Sequence, residues 1–290
     1  MLGMHRTRSV LRRLSLLWGF IVATPLTAQS PPSSQSRGEP PPIEDNSFLV
    51  EEAYNQGRGV VQHISTFARS TGSANWMYTF TQEWPLGGQT HQLSYTVPLG
   101  RNDDGPAGGA GLGDIAVNYR YQIGGGEDVG FALAPRATVL LPTGASRRAL
   151  GSGGTGFQVN LPFSVELPAR FVAHSNAGVT YTPRARDASG NSAATRSYWL
   201  GQSVIWLAHP KLNLMLESTW TSAQDVTGPR QTARTTEFLL APGLRGAIDF
   251  PSGLQIVPGI AFPFGIGSSR GERAVFAYLS FEHPFTRGSP

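Results

Sequence analysis

The sequence predicts an all-β fold: an antiparallel up-and-down transmembrane β-barrel of about twelve strands. Three observations predict it. Apolar and polar residues alternate with period two through almost everything after residue 60, giving each segment one greasy and one polar face. The alternating segments run to about ten residues, the length of a tilted strand crossing a bilayer, whereas soluble strands cluster at about five or six. The connections alternate between long and short, as they do in an up-and-down sheet whose two ends face unlike compartments.

Composition narrows the class further. Charged residues make up 14% of the 290 residues, well below the roughly 25% of a soluble domain. The chain has no Cys, which excludes a disulfide framework and any thiolate metal site. Its net charge of +4 comes from Arg6, Arg8, Arg12 and Arg13 near the start. Without them the 19 acidic residues are matched by as many basic ones, so nothing in the charge favours a nucleic-acid partner.

In chain order, residues 1–28 read as a signal peptide. Arginines precede an apolar run, Leu14–Ala23, too short for the ~20 residues of a spanning helix. Pro25 follows, and cleavage is expected after Ala28. Residues 29–59 read as a Pro/Ser-rich linker. Within them, residues 47–58 are expected to form one or two helical turns capped by Ser47, as a short lumenal or periplasmic arm.

The barrel is expected over 60–285, with a tail at 286–290. Leu93, Tyr95, Val97 and Leu99 oppose Gln92, Ser94 and Thr96; Phe157, Val159, Leu161 and Phe163 oppose Gln158, Asn160 and Ser164; Leu212, Leu214 and Leu216 oppose Asn213 and Glu217. Two segments resist the pattern: one carries Trp199 and Trp206 on opposite parities, the other mixes Phe276 and Tyr278 with Leu279 and Phe281. The expected long connections are 69–74, 99–111, 142–154, 182–196, 222–234 and 265–272; the short ones are 85–88, 123–128, 168–169, 208–211 and 250–253. An even strand number places both termini on one side, with short periplasmic turns and longer external loops. The lipid bilayer of an outer membrane is then the main partner, with barrel-assembly machinery acting during insertion. Aromatics near strand ends, Trp76, Trp84, Trp199, Trp206, Trp220, Phe262, Phe264 and Phe285, are candidates for interfacial girdles.

Gly111-Leu112-Gly113-Asp114-Ile115 leads into an alternating strand, Val139-Leu140-Leu141-Pro142-Thr143-Gly144 ends one, and Gly151-Ser152-Gly153-Gly154-Thr155-Gly156 follows. This order resembles the outer-membrane β-barrel proteins grouped with the MetA pathway of phenol degradation, over roughly residues 60–285. The resemblance implies a barrel that passes small molecules, hydrophobic or aromatic ones among them, and implies no catalytic residues. One departure concerns the end of the chain. Many barrels finish on an aromatic residue, whereas Thr-Arg-Gly-Ser-Pro follows Phe285 here, so an insertion signal would have to lie within Tyr278–Phe285.

A charge facing hydrocarbon costs about 2–4 kcal/mol at midplane. Glu83, Asp114, Arg120, Arg136, Glu166, Glu217, Glu237 and Arg245 are therefore expected to line the lumen. There they would act as struts, Arg120 with Glu83 or Glu166 and Arg245 with Glu217 or Glu237, and set the selectivity of a narrow path. The Gly-rich stretches lack the Gly-Lys-Ser/Thr of a phosphate loop. The histidines are scattered, so no catalytic, cofactor or metal site is expected. An outer-membrane lipase arrangement would require His174 to borrow a serine from another strand, such as Ser94 or Ser164. The reading is a passive outer-membrane channel; the alternative is a non-conducting surface barrel whose long loops bind a partner.

Overall fold

The computed structural model describes residues 47–103, 107–124 and 130–284. The expected signal peptide, the Pro/Ser-rich stretch as far as residue 46, and everything from Phe285 lie outside the described residues.

Twelve strands close into one antiparallel barrel. They are β1 (Val60–Ser70), β2 (Trp76–Pro85), β3 (His91–Asn102), β4 (Gly109–Leu112 with Ile115–Tyr121), β5 (Phe131–Leu133 with Arg136–Leu141) and β6 (Gly156–Leu167). Then come β7 (Phe171–Arg186), β8 (Ser192–His209), β9 (Leu212–Gly228), β10 (Gln231–Gly246), β11 (Gln255–Ala261 with Phe264–Gly265) and β12 (Ala274–Pro284). Each strand pairs with its neighbour in sequence, and β12 returns to β1 with Val60 opposite Pro284 and Ser70 opposite Ala274. The breaks in β5 and β11 fall at Pro135 and Pro263, whose missing N–H cannot join a ladder. No described helix is long and apolar enough to cross a membrane; this chain crosses with strands.

Alternation sorts the side chains. Val159, Leu200, Leu214 and Leu216 stand exposed on the outer surface, while Asn160, Ser203, Asn213 and Glu217 on the other parity are buried within. A belt of exposed Leu, Val and Phe this extensive is covered by acyl chains rather than water, and closure leaves no backbone group in the hydrocarbon without a partner. Near the short turns the outer surface carries aromatic pairs: Trp84 edge-on to Tyr95, Phe131 beside Phe163 and Phe171 stacked on Trp206. Trp199 is different. It faces inward, packed where a side chain on Gly178 would have to stand, which explains its opposite parity.

The connections differ from expectation in an instructive way. Of the long set, 142–155 and 266–273 remain loops of about the expected length. The expected loops 182–196 and 222–234 shrink to turns at 187–191 and 229–230, because β7–β10 continue as paired hairpins of 16 to 18 residues. Beyond the bilayer neither face has to be greasy, so period two fades from the sequence while the ladder continues. Arg196 over Tyr181 at 5.6 Å and Arg234 over Tyr198 at 5.5 Å lie where the apolar belt gives way to these hairpins.

The second anomaly, apolar residues on both faces, also has a cause. Ile64, Ile205, Met215, Val257, Ala261, Phe276 and Tyr278 point inward and form a buried cluster around Phe48. Residues 47–56 form no helical turn and run through the lumen instead. On that side the lumen is a packed core, so β8, β9, β11 and β12 are greasy inside as well as out.

Candidate functional site

The lumen is crossed by the segment Ser47–Gln56, a strap buried against the inner faces of strands all around the wall. Fixing backbone costs about 1–2 kcal/mol per residue, so such a strap persists only if it is anchored along its length, and it is. Ser47 Oγ lies 3.0 Å from Ser203 Oγ on β8, so Ser47 binds the wall rather than capping a helix. The amides of Leu49 and Val50 donate to the Glu217 carboxylate on β9 at 3.1 and 3.2 Å. Glu51 exchanges two bonds with Asn176 on β7: its N–H donates to Oδ1 and its carbonyl accepts from Nδ2. Ala53 N–H donates to Ser164 Oγ on β6, Asn55 N–H to Gln122 beyond β4, and Gln56 N–H to Gln92 on β3.

The two arginines on this path serve the strap. Arg120 on β4 donates to Asn55 Oδ1 at 2.6 Å and to the carbonyls of Glu52 and Tyr54 at 3.1 and 2.7 Å. It stands 3.8 Å from Glu83, whose carboxylate also accepts from Gln92. Arg136 on β5 pairs with Glu51 at 2.6 Å and donates to Asn118 and Gln158. Charge-assisted bonds of this kind contribute about 1.5–3 kcal/mol each when desolvated. Arg245 is buried on β10, opposite Asn213 on β9. Glu166 sits exposed at the end of β6 beside the Pro168 turn, and Glu237 stands exposed higher on β10, within electrostatic reach of Glu272 and Asp225.

Asp114 has a separate task at the opposite end. Its Oδ1 accepts from Gly144 N–H at 2.9 Å, and its Oδ2 accepts from Ser152 N–H and Oγ–H at 2.7 and 2.6 Å. Thr143 Oγ1 donates to the Gly113 carbonyl and accepts from Ile115 N–H. The three motifs from the sequence thus meet in one latch that folds loop 142–155 against the inner rim. A Cβ on Gly144 would come within 2.6 Å of Gly151 Cα, and one on Gly151 within 2.6 Å of Gly144 Cα, so both latch positions require glycine. We predict that Asp114→Ala frees this loop: trypsin will cut after Arg147 and Arg148 several-fold faster while the barrel stays folded. Unchanged cleavage would mean the latch is not what holds the loop.

The structure brings His174 to Ser164, with Nδ1 2.7 Å from Oγ. Both are buried, and the same hydroxyl oxygen accepts from the strap at Ala53, which makes the pair an anchor closed off from solvent. Ser94 instead accepts from Asn118. Among the described residues no group of His, Asp and Glu is placed to hold a metal ion. The strap's contribution was missed from sequence. The doubly greasy strands and the apolar Phe48-Leu49-Val50 were the signals that could have revealed it.

No family model matches the chain, and no curated protein matches it. Among solved structures the fold is similar to that of an outer membrane channel from Pseudomonas putida F1, with 13% identity and a TM-score of 0.56, covering 80% of this chain and 97% of that one. It is also similar to the NanC porin, with 13% identity and a TM-score of 0.51, covering 76% of this chain and 98% of that one. At this identity the likeness is one of architecture: the chain has the fold of outer-membrane β-barrels.

Proposed function

We propose that this barrel sits in an outer membrane and passes small molecules, hydrophobic or aromatic ones among them, by passive diffusion through its lumen. The short turns and both chain termini face the periplasm, and the tall hairpins face outward. Export uses the N-terminal signal peptide, and insertion uses barrel-assembly machinery. The observation that carries this reading is the two-sided interior. β3–β7 present Gln92, Ser94, Asn118, Thr138, Asn160 and Asn176, while β8–β12 set the apolar cluster around Phe48 beside buried Ser203, Asn213, Glu217 and Arg245. Such a wall suits solutes with both polar and greasy parts. The strap narrows the short-turn end and loop 142–155 narrows the other, and Glu83, Asp114, Arg120, Arg136, Glu166, Glu217, Glu237 and Arg245 set the charge along the path. The channel names of the two structural neighbours and the resemblance to the MetA-pathway proteins support the same reading.

The test is electrical. Purified protein inserted into planar bilayers is expected to give discrete conductance steps and, in liposomes, leakage of small aromatic solutes. A barrel that inserts fully yet stays silent for every ion and solute would overturn the channel. The strap across the lumen would then favour the second reading, a sealed surface barrel whose projecting hairpins bind a partner.

A further inference from the structure

The strap does not only obstruct the lumen; one of its residues occupies a niche built by the wall. The Phe48 ring lies 5.6 Å from the Phe276 ring and 5.3 Å from that of Tyr278, tilted to both. Its remaining sides are bounded by Gly243 on β10 and Gly259 on β11. A Cβ on either glycine would come within 2.7 or 2.5 Å of the ring. Any larger residue at these two positions would fill the space the ring now takes. The niche is thus shaped for a flat six-membered ring, and every one of these walls belongs to the barrel.

Beside the ring, the Glu217 carboxylate accepts the N–H groups of Leu49 and Val50. An unpaired carboxylate buried at this depth is costly, so whatever replaces the strap must bring a donor. Arg245 lies buried on the neighbouring strand opposite Asn213, two inward positions along from Glu217; a cation already in this part of the wall disfavours adding a second and favours a neutral donor such as an amide or hydroxyl.

We propose that this niche is a binding site for a small neutral aromatic molecule bearing a hydrogen-bond donor, and that Phe48-Leu49 is its built-in stand-in. A solute entering the lumen would take the ring's place and give Glu217 its donor, displacing the strap as it passes. Gly57 and Gly59 follow the strap, and Gly59 has a φ of 79°, a conformation that glycine adopts without strain. The proposal deepens the channel reading and rests on it for its purpose, but binding can be measured apart from flux.

The probe is 3-phenylpropionamide, whose ring and amide N–H are separated as the Phe48 ring and the Leu49 N–H are. Titration calorimetry of the full chain in detergent is expected to give binding to Phe48→Ala at least tenfold tighter than to the parent chain. Adding Gly259→Val to Phe48→Ala should return affinity to the parent level. Adding Glu217→Gln instead should weaken the amide severalfold and leave propylbenzene binding unchanged. Gel migration with and without heating reports folding, and a chain lacking residues 47–56 repeats the titration should Phe48→Ala fold poorly. Equal affinity in parent and strap variants, or binding indifferent to Gly259→Val, overturns the site. Binding as described in a barrel without conductance would overturn the channel and leave the niche standing.

Discussion

Deletion of residues 47–56 is expected to raise single-channel conductance severalfold without loss of the barrel. The strap runs from Ser203 and Glu217 on one side of the lumen to Gln122 and Gln92 on the other, so ions must now pass beside it. The strands pair only with one another, so removing the strap leaves every ladder intact. Twelve strands lie between small barrels filled by side chains and the wide water-filled porins, which makes an internal segment decisive for permeability. Arg120→Ala should give an intermediate state. It removes the donors to Asn55, Glu52 and Tyr54 and leaves the other anchors, so recordings should flicker between the parent level and a larger one. Conductance unchanged by the deletion would place the current path elsewhere. Loss of all folded protein would make the strap part of the barrel's core.

The second large effect concerns the outer surface. Leu216→Arg is expected to abolish assembly, read as loss of the heat-modifiable folded band on gels and of material in the membrane fraction. Leu216 is 53% exposed on the outside, while its neighbour Glu217 is fully buried within. One residue of offset separates a tolerated charge from an excluded one. Arginine near the midplane of the hydrocarbon costs about 2–4 kcal/mol. Val204 is the cross-strand partner of Leu216, so Val204→Arg on the same patch should add a like penalty and like-charge repulsion. Leu216→Phe should insert normally. Full assembly of Leu216→Arg would show that this face does not contact acyl chains.

The barrel was legible because lipid enforces a rule on every spanning residue: apolar outside, free choice inside, alternating. That rule made Leu212, Leu214 and Leu216 readable against Asn213 and Glu217. Outside the bilayer the rule lapses, and β7–β10 ran past the point where the pattern stopped. The strap was illegible for another reason. Its residues have no period, and its partners lie far away in sequence, as with Leu49 and Glu217 or Glu51 and Asn176. Residues 47–58 consequently read as helical turns. The expected strut between Arg120 and Glu83 exists only as a 3.8 Å approach, because the guanidinium spends its donors on the strap. The motifs at Gly113-Asp114, Thr143-Gly144 and Gly151-Ser152 were visible as words; that they spell one latch required the fold.

The unequal strand lengths carry a cost that closure alone cannot remove. Where β7–β10 outgrow β6 and β11 they form a small free-standing sheet with two open sides, each offering unused backbone groups to any passing strand. On the first side Arg186 N–H is taken by the Ser152 carbonyl, and on the second Ile266 N–H reaches the Phe238 carbonyl and the Ser268 hydroxyl reaches that of Thr236. The loops at the rim therefore act as fenders, keeping crowded neighbours in the same leaflet from zipping together.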